Sequence, residues 1–250
     1  MSGIALTAEV SLVGSGRTGF GISHPIDCNV YLIDGGDELA LVDAGTGLDT
    51  PAILANVAAL GHDPGRIRHI FLTHAHADHA GGAAELRAQL GASVYLADAE
   101  RAALEAGDEK ALGLDVARRN GYYPADYRLP RCDVDRRAGD GDRLRCGRLQ
   151  LEVVATPGHS LGSVCLVLEG AGGRVLFAGD TVFAGGKISL LVIPGSDLLA
   201  LARSVRRLTT VRPTALLPGH GPFPLRRADE HIERAHRAFE SMLPPGQILQ

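Results

Sequence analysis

The 250-residue sequence predicts an α/β protein folded as a four-layer αβ/βα sandwich, and three features carry that prediction. Strand-like apolar runs alternate with amphipathic helical stretches along the chain. Two segments, NVYLIDGGDELALVDAG (29–45) and SVCLVLEGAGGRVLFAGD (163–180), share one plan: strand, glycine-rich turn, strand, then an aspartate beside a glycine. If each hairpin leads one half of the molecule, two similar β-rich halves meet with their helices outside. Finally, 45% hydrophobic content against 22% charge can bury a full core, and no Pro-, Ser- or charge-rich linker interrupts the chain, so a single domain over 1–250 is expected.

Taken in order, strands are expected at 10–13, 29–33, 39–43, 67–73, 94–97, 149–156, 163–168, 174–178 and 215–217, where β-branched and apolar residues cluster between turn formers. Helices are expected at 50–60, 82–90, 98–105, 197–208 and 228–243. In the last of these, Ile232, His236, Phe239 and Leu243 follow three-four spacing, which puts His236 at the edge of an inward stripe and not among ligands.

Charge excludes some function classes. With 25 basic and 29 acidic residues the formal net charge is -4, which offers no general attraction to nucleic acid. No apolar run approaches the roughly 20 residues of a membrane span, and MSGIALTAEV has neither a basic n-region nor an apolar h-region. The expectation is a cytoplasmic protein without a membrane partner. Cys28, Cys132, Cys146 and Cys165 stand far apart with no CxxC pair, so they are expected to be reduced, mostly buried thiols.

The chemistry concentrates in THAHADHAGG (73–82), directly after the apolar run Ile70-Phe71-Leu72. In extended chain, residues two apart point the same way, so His74 and His76 can bite one ion, while a turn through Ala77 lets Asp78 and His79 face another. Further donors should come from other strand ends. TPGHS (His159), FAGDT (Asp180) and LPGHG (His220) each close an apolar run with a glycine-containing turn.

The motif His74-x-His76-x-Asp78-His79, followed in order by His159, Asp180 and His220, resembles the metallo-β-lactamase superfamily, and the resemblance runs from the NVYLI strand to the PGHG turn. It implies the metallo-β-lactamase fold, the same sandwich the hairpins suggest. By that resemblance His74, His76 and His159 hold one divalent ion, Asp78, His79 and His220 a second, and Asp180 bridges them, with zinc the expected metal and iron or manganese the alternatives. Asp78 and Asp180 are then the catalytic carboxylates of a hydrolase whose metal-bridging hydroxide attacks the acyl carbonyl of a small thioester, ester or lactone. Asp43, in LVDAG, either holds these ligands from behind or simply forms a turn.

The branches of the family divide on detail. A cysteine in place of Asp180 would mark one lactamase subclass, so β-lactam cleavage is expected at most as a side activity. The full set with a bridging aspartate is similar to glyoxalase II-type thioesterases and to lactonases. The alternative is a persulfide-dioxygenase-like oxidoreductase using one iron held by two histidines and an aspartate.

Substrate contacts are sought in two segments and one residue. GSGRTGFGISHP (14–25), with Phe20, is either a flap over the site or a plain connector. NGYYPADYRLPRC (120–132), with Tyr122 and Tyr123, is either a cap or a surface excursion. Lys187, one of only two lysines, lies in a Gly-rich loop seven residues after Asp180; in glyoxalase II-like enzymes a similar Gly-Lys meets a carboxylate of the leaving group. His24, His62, His69 and His231 lack any partner pattern and are expected to be structural or solvated. The oligomeric state is open, a homodimer being one option.

Overall fold

The computed structural model describes residues 2–248. The elements follow as β1 (Ile4–Ala5), β2 (Val10–Gly14), β3 (Val30–Asp34), β4 (Leu39–Val42), α1 (Thr50–Ala59), β5 (Ile67–Phe71), α2 (Ala77–Ala80), α3 (Ala83–Leu90), β6 (Ser93–Leu96), α4 (Asp98–Ala106) and α5 (Leu114–Arg119). The chain continues through β7 (Arg136–Arg137), β8 (Arg143–Cys146), β9 (Leu149–Ala155), β10 (Val164–Gly170), β11 (Gly173–Gly179), α6 (Leu198–Leu208), β12 (Ala215–Pro218) and α7 (Ala228–Glu240).

Alternation along the strands makes the layers. Val30 and Leu32 of β3 face one way and Tyr31 and Ile33 the other, and both faces are buried. A strand apolar on both sides must be covered on both sides. The first pair packs against Ile53 and Val57 of α1, Leu86 of α3 and Leu104 of α4. Tyr31 and Ile33 instead meet Leu151, Val153, Leu166 and Phe177 of the second sheet. That sheet repeats the arrangement: Leu217 of β12 points to the first sheet, while Leu216 points out to Leu201 and Val205 of α6 and Ile232 of α7. Three apolar cores therefore separate four layers, helix, sheet, sheet, helix, as the sequence predicts.

The two hairpins seed both sheets. The first sheet runs β1-β2-β3-β4-β5-β6-β7 and the second β12-β11-β10-β9-β8. Hairpin β3/β4 is antiparallel and β4 then pairs in parallel with β5; hairpin β10/β11 is antiparallel and β11 pairs in parallel with β12. Each half thus ends two neighbouring parallel strands at the same rim. Helix starts are capped where an acceptor precedes the first turn: the carboxylate of Asp49 accepts from Ala52 N–H and that of Asp197 from Ala200 N–H.

The short elements β1, β7, α2 and α5 are not visible in periodicity, because two to six residues carry too little pattern. β8 is also absent from the sequence reading, although its RLRC alternates exposed and buried residues. The last helix ends at Glu240, three residues early: Leu243 precedes Pro244, which disfavours helical backbone, and it is 66% exposed. The inward stripe of α7 is Ile232, Ala235 and Phe239, and His236 sits half-buried beside Glu240 at 3.4 Å. All four cysteines are free and buried. No helix among the described residues is long and apolar enough to cross a membrane.

Candidate metal centre

Five chain segments deliver the donors to the rim where the parallel strands end. β5 leads into His74 and His76, and α2 begins at Ala77, so Asp78 and His79 sit on one helical turn. His159 follows β9, Asp180 follows β11, and His220 follows β12. The turn carrying His220 is held by Asn29 Nδ2, which donates to Pro218 O and Gly221 O (3.0 and 3.1 Å), and by Tyr31 OH, which donates to Pro218 O (2.7 Å). Gly219 in this turn has no room for a side chain, since a Cβ there would lie 2.3 Å from Asp180 Oδ1 and 2.6 Å from His79 Cε1.

All seven residues predicted from the sequence converge. His74 Nε2 lies 3.1 Å from His76 Nδ1, which lies 2.9 Å from His159 Nε2. His220 Nε2 stands 3.0 Å from Asp78 Oδ2. Asp180 lies between the two groups, its Oδ2 at 3.6 Å from both His159 Nε2 and His220 Nε2, and its Oδ1 at 3.4 Å from His79 Nε2.

Hydrogen bonds behind the rings decide which nitrogen faces the centre. A carbonyl only accepts, so His159 Nδ1–H donates to Ser189 O (2.8 Å), and in the neutral ring Nε2 keeps its lone pair. The hydroxyl of Thr73 donates to Asp43 Oδ2 (2.9 Å), so its oxygen accepts from His74 Nδ1–H (3.0 Å). His79 Nδ1–H donates to Asp43 Oδ2 (2.8 Å). In each case the nitrogen facing the centre is the one that a neutral ring would offer to an ion. Asp43 is therefore the shared support behind His74 and His79 and not a mere turn former; its own backbone is left-handed (φ 63°), a conformation aspartate tolerates better than most residues.

The residues fit a cation. His79 Nε2 and Asp180 Oδ1 are buried without a hydrogen-bond partner, which is costly unless an ion completes them. Burial holds His76 and His159 down at about 4, so both rings are neutral across the physiological range. Burial also pushes Asp78 and Asp180 up, but the neighbouring imidazoles, His79 and His220 above all, outweigh it and hold both carboxyls well below the usual range. For His79 and His220 burial works downward, yet the acidic groups around them win and raise both. Cys28 also approaches His79 and Asp43, but burial pushes its thiol up to about 12, so it stays protonated.

Behind the loops lies a residue that sequence reasoning missed. Glu100, in the first turn of α4 and 4% exposed, accepts from Ala75 N–H (2.7 Å) with one oxygen and from Gly162 N–H (3.0 Å) with the other. One carboxylate thus ties the His74–His76 segment to the loop bearing His159. An acidic residue opening a helix is usual, so nothing in the sequence distinguishes it.

A cavity of about 380 Å³ opens over the donors, floored by His76, Asp78, His159, Asp180 and His220. Of the expected substrate residues, Tyr122 and Tyr123 line it, and Tyr123 OH donates to Asp78 Oδ1 (2.8 Å), so the 120–132 segment reaches the site through its first residues and 124–132 do not line it. The 14–25 loop reaches the cavity too, but through Arg17, Thr18 and Pro25; Thr18 Oγ1 stands 3.2 Å from His220 Nδ1. Phe20 does not line it. Its N–H donates to Ser15 Oγ, and its ring turns inward onto Phe223, centroids 4.7 Å apart. Lys187 does not line it either: it is exposed, turned outward after Gly185 and Gly186, both of positive φ, while its carbonyl accepts from Phe183 N–H (2.9 Å). His231 is structural, its Nδ1 accepting from Gly185 N–H, and His69 pairs with Glu38 at 3.3 Å.

A family model described as the metallo-beta-lactamase superfamily matches residues 25–220. The chain is 32% identical to the probable metallo-hydrolase YqgX of Bacillus subtilis, covering 79% of this chain and 87% of that protein. It is 33% identical to the acyl-coenzyme A thioesterase MBLAC2 of Gallus gallus, covering 77% and 72%. Among solved structures, BJP-1, a subclass B3 metallo-beta-lactamase of Bradyrhizobium japonicum, shares the fold with a TM-score of 0.74 at 24% identity, covering 97% of this chain and 92% of that one.

Proposed function

The chain belongs to the metallo-β-lactamase superfamily, and from that premise we propose that it hydrolyses an acyl carbonyl compound, a thioester, ester or lactone, at a centre of two divalent ions, with zinc the expected metal. The observation that carries this reading is the convergence of seven donors, five of which floor a cavity, with His79 Nε2 and Asp180 Oδ1 buried and without a hydrogen-bond partner. His74, His76 and His159 would hold one ion, Asp78, His79 and His220 the other, and Asp180 would lie between them. When bound, such ions act as Lewis acids toward a carbonyl oxygen and bring the pKa of water from 15.7 towards about 7.

The chain's own groups do the rest. Asp78 and Asp180 stay ionised near neutral pH and offset part of the ionic charge, so the floor keeps an electrophilic character. Tyr123, whose phenol burial pushes well up, remains a neutral donor and fixes one oxygen of Asp78, leaving Oδ2 directed at His220. Asp43 and Ser189 O fix the rings from behind, so little reorganisation is needed when substrate arrives. The exposed position of Lys187 argues against a leaving group recognised by that lysine.

The test is metal analysis of the purified protein, followed by a panel of thioesters, lactones, simple esters and β-lactams on zinc-, manganese- and iron-loaded protein. Two ions per chain and acid release from an acyl compound support the proposal. One iron per chain with oxygen consumption, or turnover confined to β-lactams, overturns it.

A further inference from the structure

We propose that the cavity takes an unbranched aliphatic acyl chain, so that within the hydrolase reading, on which this inference rests, the preferred substrates are medium-chain acyl esters or thioesters and not those of small polar acids. The floor is polar, but much of the wall is apolar. Leu114, Val116 and Ala117 around α5 form one side, and Leu191, Val192 and Ile193 form the other. The sides touch: Gly113, at the start of α5 with φ 71°, packs so closely on Ile193 that a Cβ there would lie 2.7 Å from its Cδ1.

Each side is joined to the metal-liking cluster by hydrogen bonds, which sets the direction in which a substrate lies. Tyr123, just beyond α5, donates to Asp78, and Ser189, just before the apolar run 190–193, accepts from His159. The apolar wall therefore starts beside Asp78 and His159 and leads away from them. Arg17 and Thr18 stand instead on the His220 side, where Thr18 contacts that ring. Arg17 is the cationic side chain lining the cavity and has no ion-pair partner among the described residues. A carbonyl centred on the floor thus has an apolar direction for its acyl arm and a polar direction for its leaving group.

Exposure supports an occupant of this kind. Val192 is 97% exposed and Tyr122 49%, both at the cavity and neither covered by the chain itself. Apolar side chains grouped beside a polar floor gain by meeting an apolar ligand. A volume of about 380 Å³ is near the small end of ligand pockets and leaves room for one chain of moderate length. The hydrophobic increment per methylene is about 0.8 kcal/mol, a factor of about four.

Two measurements test this. The first is kcat/KM of the zinc-loaded protein on acetyl, butyryl, hexanoyl, octanoyl and decanoyl thioesters sharing one leaving group, repeated with Val192→Asp and Val116→Asp. The second is binding of methyl n-alkyl ketones of the same lengths to metal-free protein, watched by NMR shifts; a ketone presents the carbonyl and chain but cannot be hydrolysed. The expected result is a rise of about fourfold per methylene in both series until the cavity is filled. Both substitutions should flatten the slope, and Val192, being fully exposed, can be replaced without unfolding the chain. A flat or falling profile with measurable hydrolysis, or ketone affinity independent of length, overturns the inference. If no acyl compound is hydrolysed, the hydrolase reading falls while the ketone series still judges the cavity.

Discussion

Asp43→Asn is the substitution that separates orientation of the centre from its composition. Asp43 is 2% exposed and accepts from Thr73 N–H (2.8 Å), from the Thr73 hydroxyl (2.9 Å) and from His79 Nδ1–H (2.8 Å). Asparagine keeps the volume and tolerates the left-handed backbone, so strain does not confuse the result. Its carbonyl can still accept from Thr73 N–H. Its NH2 group, however, meets His79 Nδ1 as a donor, and the ring must take the other tautomer, with the proton on Nε2 facing Asp180. A ligand atom becomes a donor. Two charge-assisted hydrogen bonds weaken or vanish at the same time, and at about 1.5 to 3 kcal/mol each, less what the amide recovers, the stability cost is about 2–4 kcal/mol. Metal affinity at the Asp78–His79–His220 group should fall roughly 10- to 100-fold, the usual consequence of removing a support behind a ligand. Competition with a chromophoric chelator measures the affinity, thermal unfolding the stability, and nitrogen NMR of the His79 ring the tautomer. If His79 retains Nδ1–H and two ions bind with unchanged affinity, Asp43 does not set the tautomer and the reasoning is wrong.

Other expectations follow from the same geometry. Glu100→Ala removes the acceptor of two buried N–H groups and should cost about 3 kcal/mol, roughly 6–12 °C in Tm, while loosening the His74–His76 segment from the His159 loop; calorimetry together with zinc titration checks both, and a melting point unchanged within a degree or so would show that the carboxylate is dispensable. Tyr123→Phe deletes one hydrogen bond to Asp78 and should lower kcat/KM about fivefold to tenfold with little loss of stability, since the half-buried ring remains; equal turnover in both proteins would remove Tyr123 from the site. Metal binding should release about one to two protons at neutral pH, because His79 and His220 are both raised in the metal-free chain and must give up their protons to act as ligands, whereas His76 and His159 are already neutral. The sign follows from the raised values: protonated His79 and His220 stabilise the metal-free fold fully below their ordinary pKa of about 6.5, and that contribution is lost as pH rises above it through the folded values, so metal affinity should climb as pH rises from about 6.5. Calorimetry in buffers of different ionisation enthalpy counts the protons, and an affinity that does not rise with pH above about 6.5 would contradict the assignment.

Much of the architecture was legible before the structure because it rests on short-range rules. The apolar runs at 29–33 and 215–217 mark strands to be covered on both faces, and the matching hairpins at 29–45 and 163–180 announce two similar halves. Boundaries slipped where another force ended an element: Pro244 stops α7 before Leu243, and two-residue strands such as β7 exist only because a neighbouring strand offers hydrogen bonds. The His74–His79 cluster could be read as a donor set because its spacing alone brings four groups together.

What the sequence by itself determined is therefore the kind of donor and its place at a strand end: His74, His76, Asp78 and His79 in one loop, and His159, Asp180 and His220 after glycine-containing turns. Tertiary structure alone decided which way the remaining side chains point. Lys187 and Phe20 sit in loops of promising composition, yet two positive-φ glycines turn the first to solvent and contact with Phe223 holds the second, half-buried, against the edge of the core between the sheets. Glu100 and the wall of α5 and residues 190–193 gave no local signal, since their partners lie 25 to 62 residues away for Glu100 and some 80 residues apart for Gly113 and Ile193. Local sequence sets backbone conformation and the chemistry of each group; the direction of a side chain at a loop or helix face is set by which distant surface covers it, and that is known only once the two sheets have packed.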